Sequence, residues 1–478
     1  MKFPLLAAGL AMASIALALD GQIGIHDPST VVYCDGKYYV WGTGGSPRVS
    51  DDGWTWRAGV NASRSGMAPD VIHIGDRYYM YVARNVGAQP KAEINMIWSK
   101  TLDPNSPDYK WNEGGIVASS DGVEDCNAID PGAFLDPNTG RFWLTYGSYF
   151  GYIRQVELDP KTGARIDPND KPRDLAINGE ASDMFYHDGW YYLLMTHGSC
   201  CRGSDSGYNI RMGRSKNVNG PFIDAMGVDM IEGGGKLLIG SGDRKVGAGH
   251  FGLLDLGEGV LKFSMHWEAD LDHGGASVLD IRPLLFRDGW PVAGENAKAG
   301  TYELESARTG TALEMAVEGM PVGGRRGGRG GGGGMFGGQG TPIADQDAPS
   351  VSGNWPAGSV DARMANYLCQ AQQKWAIAPA AGAGGYPGSP YFKITIAGTD
   401  RALAATEGGE LVVLPAFTGG PEQLWRLDEL ADGTYRIMPK AIPNSQQPMA
   451  LSAVGASFAT LAKFDPASDK QHWLLKTP

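Results

Sequence analysis

The sequence predicts an all-β protein, a five-bladed β-propeller followed by a second β domain of threefold repeat. Three observations carry this. A motif that includes Asn178-Gly179-Glu180 and ends in Gly189-Trp190-Tyr191-Tyr192 returns in altered form along the first three hundred residues. The 70 Gly and 29 Pro interrupt short aromatic and β-branched runs, the texture of many strands joined by tight turns rather than of long helices. Beyond residue 300 three Gln-x-Trp endings follow one another, Gln373-Lys374-Trp375, Gln423-Leu424-Trp425 and Gln471-His472-Trp473.

The first repeat gives the propeller. Sliding Gly189-Trp190-Tyr191-Tyr192 onto Gly36-Lys37-Tyr38-Tyr39 brings Glu180 onto Asp27. The same frame puts Asp130 ahead of Phe142-Trp143, Met67 ahead of Arg77-Tyr78-Tyr79, and His250 ahead of Asp255-Leu256-Gly257. Positions 27, 67, 130, 180 and 250 are separated by roughly one four-stranded blade plus its loops. The inner strand of each blade lines the channel, so residues sharing a register converge on the axis. A single Asp before Pro is ordinarily a turn cap. Three acids and a His in one register call for more than turn chemistry.

The second repeat starts at Thr301. Each Gln-x-Trp ending is preceded by a similar opening, Thr311-Ala312-Leu313-Glu314, Arg401-Ala402-Leu403-Ala404 and Met449-Ala450-Leu451-Ser452. Three such units bury together what one cannot. Inside the first lies Gly323 to Gly340, almost pure Gly with Arg, expected to be a flexible surface insert spanning about 318–345.

Length and charge narrow the function. A chain of 478 residues exceeds a single core. A net charge of −12 excludes a nucleic-acid partner, which would need clustered Lys and Arg. Residues 1–18 read as a signal peptide, with Lys2, an apolar run from Phe3 to Leu17 and the small-residue site Ala16-Leu17-Ala18. The run is short for a bilayer span, so the expected product is secreted or periplasmic, with no membrane attachment after cleavage. Five cysteines, Cys34, Cys126, Cys200, Cys201 and Cys369, match no metal-finger spacing, and adjacent Cys200 and Cys201 can close only a vicinal ring.

The motifs Ile25-His26-Asp27-Pro28-Ser29, Asn127-Ala128-Ile129-Asp130-Pro131-Gly132, Gly179-Glu180-Ala181, Cys200-Cys201-Arg202-Gly203 and Gly247-Ala248-Gly249-His250 fall in one order. With them, residues 19–297 resemble glycoside hydrolase family 43, most closely its arabinan-degrading members. The resemblance implies a five-bladed propeller in which Asp27 is general base, Asp130 orients and tunes, and Glu180 is general acid. It also implies that His250 stands by the sugar site beside a central ion or water, so that a structural calcium in the channel enters the expectation, with no cofactor required for the chemistry. Residues 298–478 resemble a ricin-type β-trefoil domain, whose Gln-x-Trp residues mark the hydrophobic core. At the places where trefoil lectins usually carry an Asp, this chain has Glu314, Ala404 and Ser452.

The residues themselves suit that chemistry. Inverting hydrolysis of a glycoside needs one carboxylic acid to protonate the leaving oxygen and one carboxylate to activate water, about 6.5–9.5 Å apart. Environment divides the roles: Glu180 must be pushed towards its protonated form while Asp27 stays ionised. Asn127, Arg202 and His73 are candidates for sugar hydroxyls, and Trp41 or Trp98 for a stacking floor. The expected protein is a monomeric secreted enzyme that cleaves α-L-arabinofuranosyl linkages in a plant polysaccharide or oligosaccharide. An exo-acting β-xylosidase or galactofuranosidase with the same triad, and a non-catalytic carbohydrate-binding propeller, are the alternatives.

Overall fold

The computed structural model describes residues 19–478 apart from Ser46, 62–65, Gln89, Glu124, Phe150 and 318–354. The expected signal peptide at 1–18 and the Gly-rich insert at about 318–345 lie outside the described residues.

Five antiparallel sheets follow one another along the chain. Blade 1 holds Val32–Cys34, Lys37–Trp41, Pro47–Ser50 and Thr55–Ala58, with Asp20–Gly21 parallel to its last strand. Blade 2 runs from Met67–Ile74 to Asn112–Asp121, blade 3 from Gly132–Leu135 to Arg173–Ala176, blade 4 from Glu180–His187 to Lys236–Ile239, and blade 5 from Lys245–Asp255 to Trp290–Ala293. Each is a four-stranded meander whose hairpins turn on pairs such as Asp35-Gly36 and Asp188-Gly189, where both residues have positive φ. The ring is closed by the start of the chain: Ile25 N donates to Ser277 O (3.1 Å) and Leu279 N to Ile23 O (2.9 Å), laying this segment on the outer side of blade 5.

First strands crowd the axis. A Cβ on Gly132 would lie 2.0 Å from Ser182 O on the neighbouring blade, so only glycine fits there. Two buried acids tie the blades together below that level. Asp70 accepts from Thr30 N of blade 1 and Ala133 N of blade 3, both at 2.9 Å, while Asp183 of blade 4 accepts from the backbone of Leu253 in blade 5. Between blades the packing is apolar and aromatic, as in the cluster of Val32, Tyr39, Trp41, Val49, Val71 and Met80.

After the propeller comes a distinct β-rich region with a core of its own, including Leu304, Leu313, Trp375, Ile394, Leu403, Trp425, Leu451 and Trp473. Its threefold repeat is atomic in detail. The indole N–H groups of Trp375, Trp425 and Trp473 donate to the carbonyls of Leu313, Leu403 and Leu451 at 2.8, 3.0 and 2.9 Å. Gln373, Gln423 and Gln471 each brace a loop, donating to the carbonyls of Asn366, Ala416 and Lys463 at 2.8, 3.0 and 3.0 Å. Glu314, the acid of the first opening, is buried between Arg363 (2.7 Å) and Gln373 (3.1 Å), so its carboxylate is committed within the fold.

Candidate active site

On or just before the first strand of each blade stands one residue in the left-handed region: Asp27, Ala68, Asp130, Ala181 and His250, with φ between 43° and 55°. This kink throws the entry residues onto the channel mouth. It also corrects the repeat register. Glu180 sits one residue ahead of Ala181, level with Met67 and Gly249, and a one-residue bulge separates each of these from the regular ladder that follows. Asp27, Asp130 and His250 share a register, whereas Glu180 reaches the same centre from the adjacent position.

The three acids meet in the channel, and their surroundings divide them. Asp27 is buried, which alone would raise its pKa, yet positive neighbours hold it far below the usual carboxylate range. His26 Nδ1 lies 2.9 Å from Asp27 Oδ2, and Thr43 Oγ1 donates to the same oxygen at 2.5 Å. His250 Nδ1 stands 3.2 Å from Asp27 Oδ1. Burial pushes His250 down to about 4, which leaves its ring neutral at neutral pH. The lasting positive charge beside Asp27 is therefore His26: burial opposes its protonation, but hydrogen bonds to Asp27 and Glu268 carry it up to about 10.

Glu180 goes the other way. Burial raises its pKa, hydrogen bonds from Tyr208 and Ser148 draw it down, and the charges of Asp27 and Glu268 push it up, with a net rise. Ser148 Oγ donates to Glu180 Oε2 at 2.8 Å, and the Tyr208 hydroxyl donates to Oε1. Asp130 is raised further, by burial first and then by the charges of Glu180 and Asp27. Thus one carboxylate is kept ionised beside two carboxyls that favour a proton, the division general acid–base hydrolysis requires.

Behind Asp27 is a ring of groups that sequence reading did not single out. Asp27 N donates to His266 Nδ1 (2.8 Å), which leaves the His266 proton on Nε2, 3.4 Å from Glu268 Oε1. Glu268 takes His26 Nε2 at 2.8 Å and Cys201 N at 2.9 Å. His26 was legible as the neighbour of Asp27; Ser148, Tyr208, His266 and Glu268 carry no local signal and come from blades 3, 4 and 5.

The remaining expected residues separate into two groups. Asn127 is fully buried with both side-chain polar atoms unpaired, as a group awaiting a polar ligand would be. Arg202 is exposed on the loop after the second strand of blade 4, next to the Cys200–Cys201 disulfide. His73 and Trp41 are corrections. His73 lies six residues beyond Met67 on an extended strand, about 20 Å from the channel mouth, with its ring stacked on Tyr78 at 4.2 Å. Trp41 is buried in the core between blades 1 and 2, stacked on Tyr39 and edge-on to Trp111. Trp98 is covered by Arg77, 4.2 Å above its ring. Strand periodicity places aromatic residues on both faces of a blade, and only the packing tells which face meets the channel.

The donor atoms of Asp27, His250 and His266 lie within 4.8 Å of one another, and neither ring nitrogen of His250 makes a hydrogen bond. That orphaned ring fits an ion or water in the channel. Calcium takes six to eight oxygen ligands, and this group offers one carboxylate, so the fit is to an ion held by His250 and Asp27 with water completing the shell.

The profile of glycosyl hydrolases family 43 matches residues 39–291, more than half of the chain. The chain belongs to glycosyl hydrolases family 43. An extracellular exo-α-(1→5)-L-arabinofuranosidase of Cellvibrio japonicus is 33% identical over 276 residues, covering 51% of this chain and 79% of that protein. An extracellular endo-α-(1→5)-L-arabinanase of Bacillus subtilis is 29% identical over 318 residues, covering 60% of this chain and 94% of that protein. Among solved structures, an exo-1,5-α-L-arabinanase from a bovine ruminal metagenomic library is 31% identical, covers 58% of this chain and 99% of its own, and superposes with a TM-score of 0.54. This family-43 hydrolase shares the five-bladed, all-β architecture of that structure.

Proposed function

We propose that this family-43 enzyme hydrolyses α-1,5-linked L-arabinofuranosyl residues of arabinan with inversion. The observation that carries the reading is the opposed tuning of Asp27 and Glu180 in one channel. The relatives named as an exo-arabinofuranosidase and an endo-arabinanase support the substrate. In the reaction Asp27, held ionised by His26, takes a proton from water as that water attacks the anomeric carbon. Glu180, kept protonated by burial and by the charges of Asp27 and Glu268, gives its proton to the departing glycosidic oxygen, and Asp130 orients it. Asn127 and Arg202 are the residues proposed to meet sugar hydroxyls. An ion at His250 would add positive charge beside Asp27 and strengthen its ionised state.

The same reading extends to the rest of the chain. Threefold recurrence of the Trp indole and Gln amide bonds supports a ricin-type β-trefoil over residues 298–478, and the extracellular relatives support secretion after removal of residues 1–18. The protein is taken to act as a monomer. Product analysis on linear arabinan, branched arabinan, xylan and galactan, with anomeric configuration followed by NMR, tests this function. Turnover of xylan or galactan in preference to arabinan, or a retained configuration, would overturn it.

A further inference from the structure

The C-terminal region does not hang from the propeller on a free linker. A hairpin of Gly385–Tyr386 and Ser389–Pro390 reaches back onto blade 1. Gly388 N donates to Gly53 O (3.1 Å), Gly385 N donates to Asp52 Oδ2 (2.8 Å), and Lys262 Nζ of blade 5 donates to Pro387 O (2.5 Å). The fit admits no side chain: a Cβ on Gly385 would lie 2.3 Å from Trp54 Cβ. Tyr386 is anchored from behind, its hydroxyl donating to Leu427 O (3.0 Å) and accepting from Leu427 N (2.9 Å).

Beside this seam is a cleft of about 380 Å³, within the range of small-molecule sites, about 300–1,000 Å³. One wall is Tyr33 and Tyr38 from the first hairpin of blade 1, with ring centroids 5.0 Å apart. The facing wall is Tyr391, Arg426 and Lys440. Tyr33 is 56% exposed, because strand alternation turns it outward between the buried Val32 and Cys34, which leaves its ring free at the cleft. Lys440 Nζ stands 4.6 Å over the Tyr391 ring and donates to Ala383 O at 2.7 Å; Arg426 Nε donates to Asp428 Oδ1 at 2.8 Å.

The acids of the cleft are engaged with the protein. Asp52 gathers the backbone N–H groups of Trp54, Thr55 and Gly385, and Asp51 pairs with Arg57 at 3.0 Å. What faces the opening is therefore aromatic surface with hydroxyl and cationic donors at its rim. This combination recognises a sugar, whose C–H faces stack on rings while its hydroxyls accept and donate at the edges. The bonds across the seam hold the walls in place before any ligand arrives, which lowers the ordering cost of binding.

We propose that this cleft is a second carbohydrate-binding site, taking a neutral oligosaccharide of the polymer that the channel cleaves. It lies at the Asp35-Gly36 turn, the far end of the blade 1 inner strand from Asp27, so it holds chain away from the catalytic acids rather than extending the channel. Its effect is to keep the enzyme on a long polymer by raising effective concentration. The proposal rests on the arabinan reading for the identity of the sugar.

The test uses the full chain carrying Glu180→Gln, titrated with linear arabinohexaose by calorimetry, and the otherwise wild-type chain assayed in parallel on arabinan and on a small chromogenic arabinofuranoside. Two binding sites are expected for Glu180→Gln, and one after Tyr33→Ala or Tyr391→Ala is added. Loss of a stacking ring should weaken the second site about tenfold, and Tyr33→Trp, which keeps the stacking face, should retain it. In otherwise wild-type enzyme, Tyr33→Ala should lower turnover of long arabinan and leave the chromogenic substrate unchanged. A single site in Glu180→Gln, with wild type still hydrolysing arabinan, overturns the cleft and leaves the catalytic reading intact. Wild type inactive on arabinan overturns the catalytic reading instead. Binding of an oligogalacturonide at Tyr33 and Tyr391 in place of arabinohexaose overturns the assignment to a neutral chain.

Discussion

His26 Nδ1 lies 2.9 Å from Asp27 Oδ2, and the other nitrogen of the same ring lies 2.8 Å from Glu268. One imidazolium thus joins the residue that must stay ionised to a carboxylate from the far side of the chain. Removing its charge tests how Asp27 is held. Activity needs Asp27 ionised, and an adjacent opposite charge lowers a carboxyl pKa by about one to three units. His26→Gln should therefore raise the Asp27 pKa and move the acidic limb of the kcat/KM profile to higher pH. A limb that stays in place while activity falls would show that His26 positions rather than charges the site.

Glu180→Gln should cripple substrates with poor leaving groups most. A dinitrophenyl glycoside needs little protonation as it departs, so it should retain comparatively more turnover than arabinan. Asp27→Asn removes the group that activates water and should slow both by about 10²–10⁴-fold. Equal losses on both substrates for Glu180→Gln would refute its role as acid.

Two substitutions should move the basic limb in opposite directions. Activity needs Glu180 protonated, so the limb follows its pKa. Glu268→Gln removes a negative charge that pushes Glu180 up and should shift the limb down. Tyr208→Phe removes a hydrogen bond that favours the ionised form of Glu180, so it should shift the limb up. Kinetic profiles of the two variants side by side check the signs.

His250→Ala should lower activity without unfolding the propeller, since the ring faces the channel and makes no side-chain hydrogen bond. Thermal melting close to wild type with reduced turnover is the expected pair of results. Metal analysis of the purified wild type and variant should show an ion only in the former.

Truncation after Ala297 should keep turnover of a small chromogenic substrate, because every acid of the site precedes it. It should also lower the melting temperature. Cutting there exposes Trp54 and Lys262, and removes the carbonyl of Ala431 that accepts from Phe286 N at 2.8 Å. A truncated protein that folds yet is inactive on the small substrate would assign the C-terminal region a part in the chemistry.

What the sequence determined by itself was whatever repeats along the chain. Repetition made the five blades legible and brought Asp27, Asp130 and His250 onto one register; three Gln-x-Trp endings foretold the threefold core of Trp375, Trp425 and Trp473. The tertiary structure decided what depends on neighbours from other blades. A bulge put Glu180 one residue out of register yet in the same centre. Tyr208, Ser148, His266 and Glu268 set the protonation of the acids from positions with no local mark. His73 and Trp41 look like sugar ligands in a list of residues, but strand direction carried one to the far end of its blade and inter-blade packing took the other into the core. The physical reason is that alternation and turns are encoded within a dozen residues, whereas burial and charge at the axis are sums over five separate strands, fixed only when the ring closes.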